Sequence, residues 1–279
     1  MHPTNHSLYA CPVCQQVLQC SKNTLICTQH HSFDRHKKGY VNLLMSQHKN
    51  SKAPGDNIDM VNGRREFLRA GHYQDFADAI VALASECQTS ADDALAIVDA
   101  GCGEGFYTEQ IQQALNTDQV YGFDISKPAI TAAAKDKNVD WCVASSNRPP
   151  YLDSSFDLVV SVFSRVESEA FLRILKPKGY VLYAGPGDNH LHGLRSIIYD
   201  EVNDYSSDKH HDYFAEGFCL INSVSLQVPI ALDSHASIMQ LVSMTPHAHR
   251  ISRAGRERLD LTHSLSDVGD FKLYLYQKI

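Results

Sequence analysis

Three cysteines and one histidine near the N-terminus are spaced as ligands for a single metal ion. Cys11, Cys14, Cys27 and His31 form the pattern C-x2-C-x12-C-x3-H. Three thiolates and one imidazole satisfy a tetrahedral Zn²⁺, and the short spacing at each end lets two turns of the chain hold the same ion. The pattern leaves no ligand position open for a substrate, so it predicts a structural zinc site.

Other interpretations of these residues stay open in the sequence. A CxxC pair also occurs as a redox motif, usually at the start of a helix in a βαβ unit, and the cysteines could be unrelated. Cys20 and His30 are rival ligands. Zinc is favoured because residues 7–44 hold too little apolar material for a core of their own. Metal binding can contribute ~10 kcal/mol or more to the folding of such a segment.

A glycine-rich loop is the second segment that could do chemistry. The sequence DAGCGEG, residues 99–105, directly follows an apolar strand and precedes a helix, which is the setting of a nucleotide-binding loop. Asp124 closes the next strand, where a carboxylate can accept both ribose hydroxyls of an adenosine. The GxGxG pattern alone is compatible with S-adenosylmethionine, with NAD, or with a turn that binds nothing. Cys102 is expected to be a small packing residue rather than a nucleophile.

Strands and helices alternate around this loop. Helices are predicted from about Ile58 to Gly71 and from about Asp75 onward, because apolar residues recur there at helical spacing. Between Ala94 and Pro186, continuous apolar runs alternate with helical segments, which is typical of an α/β fold with a parallel sheet covered on both faces. The predicted strands are LAIVDA, VYGFD, VDWCVA, FDLVVSVF and YVLYAGP, followed by a helix at 191–202, a strand, a helix at 234–242 and the alternating segment FKLYLYQ.

The domain organisation follows from length and from one polar segment. A chain of 279 residues is long enough for one α/β domain and a small satellite. Residues 46–57, SQHKNSKAPGDN, are polar and contain a Pro-Gly pair, which indicates a linker. The predicted units are a zinc-binding module at 1–45, a linker at 46–57 and an α/β domain at 58–279.

Charge is distributed unevenly along the chain. The net charge of −7 taken as a whole argues against a nucleic-acid partner. Residues 1–73, however, hold nine Lys/Arg against four Asp/Glu, a net charge of +5, and the remainder carries −12. Lys37, Lys38, Lys49 and Lys52 lie in this basic segment, and they either contact a nucleic acid or merely solvate the surface.

The sequence offers no sign of a membrane span or an export signal. No stretch approaches the ~18 apolar residues that a span needs, and the first residues lack the basic-then-apolar plan of a signal peptide. We therefore expect a cytoplasmic protein with no membrane partner. In that reducing compartment the eight cysteines are better suited to metal binding than to disulfides.

Several pieces of the sequence resemble known methyltransferases. DAGCGEG, FDLVVS and LKPKGYV are similar to class I S-adenosylmethionine-dependent methyltransferases, which have a Rossmann-like fold. Over nearly its whole length the chain also resembles bacterial 23S rRNA (guanine-N1)-methyltransferases, the family that includes tylosin-resistance relatives. The pieces that carry this resemblance are CPVC…C…H followed by SFD, GYVNLL, AGHY at residues 70–73, DAGCGEGFYT, FDIS, ASSNRPPY, LKPKGYV and LVSMTP.

The resemblance implies ligands and a site. It implies a zinc-ribbon-like RNA-recognition module with Zn²⁺ on Cys11, Cys14, Cys27 and His31, and a class I methyltransferase domain at 58–279 with S-adenosylmethionine as cofactor. It also implies a homodimer whose zinc modules border an RNA-binding cleft, in keeping with the basic N-terminal segment. The implied cofactor-binding residues are Tyr73, Asp99, Gly101, Gly103, Glu104, Gly105, Tyr107, Thr108, Asp124 and His190.

Two segments depart from the family pattern near the expected target base. After the fourth strand the family tends to have an aromatic-Ala-Pro run, whereas this chain has Phe163-Ser164-Arg165, and His247 or His249 replaces an aromatic near the MTP segment. Phe163 could stack on a base and Arg165 could pair with a phosphate or a base, although core packing and a surface ion pair are the plainer roles. Tyr151 is another aromatic in this region, for which a core position is favoured. No residue stands out as the acceptor of the guanine N1 proton.

The function predicted from these features is methyl transfer from S-adenosylmethionine to N1 of a guanine in 23S ribosomal RNA. The first alternative is a small-molecule methyltransferase, which would have little reason to carry a basic zinc module. The second is a non-catalytic zinc-containing RNA-binding protein, against which the intact DAGCGEG loop and Asp124 speak. The sequence does not specify the target nucleotide.

Zinc content is the direct test of the ligand pattern. We expect one Zn²⁺ per chain in protein purified without chelator, and we expect Cys14→Ala to unfold the N-terminal module because the metal supplies its folding free energy. Elemental analysis of wild type and variant measures this. Wild-type protein without zinc would contradict the assignment.

Overall fold

The computed structural model describes residues 7–49, 51, 53–88, 94–203 and 205–279, so Lys52 lies outside the described part of the chain. The first element is a small antiparallel sheet in the order β1-β2-β3. Its strands are β1 Gln19–Ser21, β2 Thr24–Ile26 and β3 Ser32–Asp34. These short strands connect the two turns that carry the metal-ligating residues.

The main sheet has eight strands in the order β10-β11-β9-β8-β5-β6-β7-β4. The strands from β4 to β9 pair in parallel, and β10 and β11 add an antiparallel pair beside β9. The strands are β4 Val41–Asn42, β5 Ile97–Ala100, β6 Val120–Asp124, β7 Asp140–Val143, β8 Phe156–Val162, β9 Leu175–Pro186, β10 Phe218–Leu232 and β11 Leu265–Lys278. This is the predicted α/β fold.

The strand order reverses at β5, which pairs with β6 on one side and with β8 on the other. Ligands of open α/β sheets bind beyond the carboxyl ends of the strands at such a reversal, because the loops on either side diverge and leave a crevice. The glycine-rich loop follows β5 directly, and Phe163 follows β8. The topology therefore brings the predicted cofactor loop and the predicted base-contacting segment to one crevice.

Helices lie on the sheet and complete the domain. The helices are α1 Ile58–Arg69, α2 Gln74–Ser85, α3 Phe106–Leu115, α4 Lys127–Ala133, α5 Ser168–Ile174, α6 His192–Ile198, α7 His235–Ser243 and α8 Arg253–Asp260. Asn57 begins α1 by accepting hydrogen bonds from Asp59 N and Met60 N. Within the described part of the chain, none of the helices has the length and apolar character that crossing a membrane requires.

One helix is shorter than predicted. The sequence predicts a helix over 191–202, but α6 ends at Ile198 and Tyr199 is extended. Arg258 of α8 donates from Nε to Ile197 O at 2.7 Å, and a Cβ added at Gly255 would lie 2.2 Å from Ile198 O. Because α8 occupies the carbonyl end of α6 so closely, a further helical turn has no room there.

The zinc module shares its core with the main sheet. Leu18 and Leu25 are fully buried and belong to the same hydrophobic cluster as Val98 of β5, Phe123 of β6 and Val159 of β8. The module therefore covers one face of the sheet, which compensates for its shortage of apolar residues. The boundary near residue 45 stays a prediction, since β4 already pairs with β7 of the main sheet.

Backbone pairing and one ion pair also fix the module. Ala10 N donates to Pro150 O at 2.9 Å, and the ring of Tyr9 stacks on that of Tyr151 at 5.2 Å. Arg35 donates to the Asp140 carboxylate at 2.7 Å, and both side chains are half-buried. The module is thus attached to β7 through Asp140 and to the segment before β8 through Pro150 and Tyr151.

The Arg35–Asp140 pair gives a stability prediction. Arg35→Ala should lower the free energy of unfolding by about 2 kcal/mol, because a half-buried carboxylate loses a charged donor. Chemical denaturation of the zinc-loaded protein measures the change. Arg253→Ala removes an exposed i,i+4 pair with Glu257 and is the control, with an expected loss of about 0.5 kcal/mol or less. Equal losses in the two variants would show that Arg35 does not anchor the module.

Candidate active site and metal centre

The four predicted zinc ligands converge. The ligand atoms of Cys11, Cys14, Cys27 and His31 all lie within 4.8 Å of one another. His31 Nδ1 is 3.6 Å from Cys11 Sγ and 3.4 Å from Cys27 Sγ, and the Sγ atoms of Cys14 and Cys27 are 3.6 Å apart. Such separations are those of the corners of a tetrahedron around Zn²⁺, whose bonds to sulfur are ~2.3 Å long and to nitrogen ~2.0 Å. The donor set therefore fits a structural zinc ion.

The rival ligands lie outside this cluster. Cys20 is exposed and directs its thiol to Lys22 O. His30 is exposed with a φ of 62°, and its N–H donates to Cys27 O to form the turn that presents His31. Of the alternatives that the sequence leaves open, the structure thus favours the C-x2-C-x12-C-x3-H set.

The glycine-rich loop turns sharply between β5 and α3. Gly101, Gly103 and Gly105 have φ values of 82°, 57° and 90°, a region that favours glycine. A Cβ added at Gly101 would lie 2.0 Å from Ser164 Oγ, and one at Gly105 would lie 2.8 Å from the Trp141 ring. Glycine at 101 lets the loop meet the segment after β8, and glycine at 105 lets it pack on β7.

Two buried carboxylates of the loop have unpaired oxygens. Asp99 accepts from Thr108 Oγ1 at 2.5 Å, but its Oδ1 has no hydrogen-bond partner in the described part of the chain. Neither oxygen of Glu104 is hydrogen-bonded to a described residue, and the cations Arg69 and Arg65 lie 3.8 and 3.9 Å away. Burial raises the pKa of both carboxyls to about 7. Shielded acceptors of this kind fit a ligand that brings an ammonium group, as S-adenosylmethionine does.

Asp124 lines the crevice and also holds the loop. Its Oδ2 accepts from Gly103 N at 3.0 Å, and its Oδ1 accepts from Ser126 N at 2.7 Å. Each carboxylate oxygen can accept a second hydrogen bond, so the predicted contact with ribose hydroxyls is compatible with these bonds. Burial raises the pKa of Asp124. The ribose contact itself stays a prediction.

Tyr73, Tyr107 and His190 also line the crevice. The hydroxyl of Tyr73 is buried and has no hydrogen-bond partner among the described residues. His190 Nδ1 lies 2.8 Å from Asp270 O, and because a carbonyl only accepts, Nδ1 carries the proton. Burial lowers the pKa of His190 to about 4, so the ring is neutral at pH 7 and its Nε2 is an acceptor.

Two predicted cofactor residues do not line the crevice, and Cys102 lines it with a buried thiol. Gly105 and Thr108 are not among the residues that line the crevice in the described chain. Gly105 packs on Trp141, and Thr108 orients Asp99. Cys102 is buried, and burial raises the pKa of its thiol well above the usual value, so the expectation of a packing role is supported.

The candidates for the target base divide into exposed and buried residues. Phe163 lines the crevice with 45% of its surface exposed and a φ of 50°, an uncommon conformation for an aromatic residue. Arg165 forms an ion pair with Glu167 at 2.6 Å and is largely exposed. Tyr151 is fully buried, so a role in stacking on the base is excluded and the core position is correct. His247 lines the crevice, and its Nδ1 is hydrogen-bonded to the Tyr199 hydroxyl at 2.8 Å. The side chain of His249 is not among the parts of the chain that the structure describes.

The crevice extends to the zinc module as a continuous cleft of about 2130 Å³. Pro12 and Val13, in the turn between two zinc ligands, line its far end. Among the described residues, the basic side chains that line it are arginines rather than the lysines of the N-terminal segment, and Lys37 and Lys38 lie elsewhere on the surface. The lining arginines are Arg64, Arg148, Arg165, Arg173, Arg195 and Arg250. Apart from Arg64, they lie outside the basic segment 1–73 and come from separate segments, so the charge pattern along the sequence did not indicate them.

Known proteins match both parts of the chain. A family described as RlmA, N-terminal, matches residues 9–52 as a zinc ribbon, and a family described as methyltransferase domain matches residues 97–179. A Bacillus subtilis protein, YxjB, named as a candidate 23S rRNA (guanine-N1)-methyltransferase, is 32% identical over 255 residues, or 87% of each chain. The 23S rRNA (guanine(748)-N1)-methyltransferase of Streptomyces fradiae is 29% identical over 240 residues, covering 85% of this chain and 84% of its own.

The chain belongs to the 23S rRNA (guanine-N1)-methyltransferase family. Solved structures more distant than this family show the fold alone. A chain from the Haloferax volcanii complex of the Trm112 methyltransferase activator with a methyltransferase has a TM-score of 0.51 and 16% identity, with 81% of this chain and 99% of that chain covered. The YcgJ protein from Bacillus subtilis has a TM-score of 0.50 and 16% identity, with 72% and 98% covered. The (guanine-N1)-methyltransferase assigned here thus combines a zinc ribbon with an S-adenosylmethionine-dependent domain.

Asp124 provides the test of the cofactor site. Asp124→Ala should raise the Kd for S-adenosylmethionine about 10- to 100-fold, because the ribose loses its acceptor and Gly103 N loses its partner. Isothermal titration calorimetry measures the affinity, and Asp118→Ala, an exposed carboxylate before β6, is the control. Unchanged affinity, or tighter binding of NAD than of S-adenosylmethionine, would count against the site.

Proposed function

We propose that the protein transfers a methyl group from S-adenosylmethionine to N1 of a guanine in 23S ribosomal RNA. The observation that carries the proposal is the single cleft that joins the glycine-rich loop, the exposed ring of Phe163 and the zinc turn at Pro12 and Val13. Such a reaction needs three features: a loop that binds the cofactor, an aromatic ring on which the base can stack, and a cleft wide enough for RNA. Action in the cytoplasm and a homodimer remain predictions.

Residues at different positions along the cleft have different roles in the proposed reaction. Asp99 and Glu104 offer shielded acceptors for the cofactor's amino group, and Asp124 offers a carboxylate for its ribose. When bound, S-adenosylmethionine supplies an activated methyl group on a sulfonium. Tyr73 and His190 close the apolar side and exclude water. The protein's contribution is therefore the orientation of two reactants rather than covalent chemistry.

The target base must leave its stack before it reaches this position. Guanine N1 is paired within a helix, so the enzyme acts on an unpaired or extruded base. Phe163 presents its ring at the mouth of the crevice and rests against Phe76, His190 and Phe271 at centroid distances of 5.8, 5.5 and 6.0 Å. An aromatic ring supported in this way suits stacking on an extruded base.

The size and charge of the cleft favour RNA over a small molecule. Pockets for small molecules usually measure ~300–1,000 Å³, whereas this cleft measures about 2130 Å³. Its arginines suit phosphate groups because the guanidinium binds them through paired hydrogen bonds. A small-molecule acceptor would use only part of this space and none of the zinc module.

Analysis of ribosomal RNA tests the function. In 23S rRNA from a strain without the gene, mass spectrometry should find one guanine that lacks its N1 methyl group, and purified enzyme with S-adenosylmethionine should restore it in vitro. The alternative, a small-molecule methyltransferase, would be favoured if the guanine were unmethylated in both strains and the enzyme methylated a small molecule of the cell extract.

A charge-reversal pair provides the control for RNA binding. Arg250 lines the cleft, so Arg250→Glu should raise the KM for RNA and make RNA binding less dependent on salt concentration. Lys38 lies outside the cleft, so Lys38→Glu should change the KM and the salt dependence less. Both variants should keep the cofactor affinity of the wild type. A larger effect at Lys38 would place the RNA on the zinc module's outer surface instead.

A further inference from the structure

Guanine N1 carries a proton that must leave when the methyl group arrives, and the proposed function does not say where it goes. We propose that the carboxylate of Glu167 accepts hydrogen bonds from N1–H and from the 2-amino group of the target guanine and takes the N1 proton. This inference rests on the proposed function. It makes Glu167 both the residue that selects guanine and the proton acceptor.

Glu167 lies beside the crevice for topological reasons. The loop from Phe163 to Glu167 connects β8 to α5 at the carboxyl edge of the sheet, next to the reversal at β5. Ser164 of this loop packs directly on Gly101 of the cofactor loop. Three residues of chain span at most ~11 Å, so Glu167 stays near the point where the two loops meet. Its side chain lines the cleft.

The other carboxylates of the cleft already form ion pairs or hydrogen bonds, are assigned to the cofactor, or are exposed to solvent. Asp56 is paired with Arg64, and Asp124 accepts from two backbone N–H groups. Asp99 and Glu104 belong to the glycine-rich loop, where the proposed function assigns them to the cofactor. Among the described residues that line the cleft, two carboxylates remain besides Glu167. Those two, Glu169 and Glu201, are exposed.

Glu167 has unused capacity as an acceptor. It precedes α5 in the N-cap position, and its side chain makes no capping hydrogen bond with the described residues, so the helix terminus does not engage the carboxylate. Its Oε1 is shielded from solvent and has no hydrogen-bond donor in the described chain. Arg165 Nε lies only 2.6 Å from this oxygen, but the contact lacks hydrogen-bond geometry. A largely exposed arginine can give way to a base that enters the cleft.

Guanine complements this carboxylate more closely than the other bases do. Its N1–H and 2-amino donors point in the same direction from one edge, and a carboxylate has two acceptor oxygens side by side. Adenine presents an acceptor at N1 and repels the carboxylate. In the reaction, the N1 proton passes to a Glu167 oxygen, and the electron pair of that N–H bond forms the new bond to the methyl carbon. The pair of the broken S–CH3 bond leaves with sulfur, and Glu167 returns its proton to water.

His190 is the competing acceptor. Its Nε2 is unprotonated while Nδ1 donates to Asp270 O, and its ring contacts Phe163 at 5.5 Å. A single lone pair, however, can meet only one of the two guanine donors. The two residues therefore predict different responses to removal of the 2-amino group, which inosine lacks.

The experiment compares guanine with inosine at the target position of an rRNA hairpin. Glu167→Gln should lower kcat by about 10²- to 10⁴-fold, since it keeps the shape but cannot take the proton. In wild type, the inosine hairpin should bind about 10- to 100-fold more weakly than the guanine hairpin by fluorescence anisotropy, and Glu167→Ala should nearly abolish this preference. Unchanged affinity for S-adenosylmethionine in both variants verifies the fold.

Matched variants separate the outcomes. Glu216→Gln, at an exposed glutamate that does not line the cleft in the described chain, should keep wild-type kcat and the guanine preference. Wild-type turnover by Glu167→Gln, or a guanine preference that survives in Glu167→Ala, would overturn the inference while the proposed function stands. Loss of kcat in His190→Asn alone would assign the proton to His190 and overturn it too. A wild-type enzyme that methylates no guanine would overturn the proposed function and Glu167 with it.

Discussion

The close approach of two loops at Gly101 is the constraint on which the site depends. Gly101 follows β5 and Ser164 follows β8, and no side chain at 101 could fit between them. The contact is possible because the strands are neighbours at the reversal of the sheet, where loops from opposite directions meet. Through it, the glycine-rich loop touches the segment that presents Phe163. Under the proposed function, the distance between the two reactants would therefore be set by backbone packing rather than by flexible side chains.

The zinc module depends on the sheet as much as on its metal. A segment of this size cannot bury enough apolar surface alone, and its leucines complete a core on one face of the main sheet. The parallel pairing of β4 with β7 and the stacking of Tyr9 on Tyr151 add a fixed orientation. As a consequence, the turn at Pro12 and Val13 is held where it lines the cleft. Zinc binding determines the conformation of the turn, and packing against the main sheet determines its orientation.

Charges of both signs line the cleft. Near the glycine-rich loop, burial raises the pKa of Asp99 and Glu104 to about 7, and three of their oxygens have no hydrogen-bond donor among the described residues. Arginines line the same cleft, from Arg64 beside Gly103 to Arg250. Under the proposed function, the carboxylates would attract a cationic cofactor and the arginines an anionic polymer. The net charge of −7 conceals these clusters because it averages over the whole chain.

The sequence by itself determined what depends on local spacing. The zinc ligands, the glycine-rich loop, Asp124 and the alternation of strands and helices could all be predicted, since two turns around an ion and a turn between strand and helix need particular residues at particular positions. Only the tertiary structure decided what depends on residues distant in the chain. It left Gly105 and Thr108 off the lining of the cleft, buried Tyr151, and exposed Phe163. It also gathered six arginines and Glu167 on one cleft, because the order of strands in the sheet, which no local pattern records, determines which loops become neighbours.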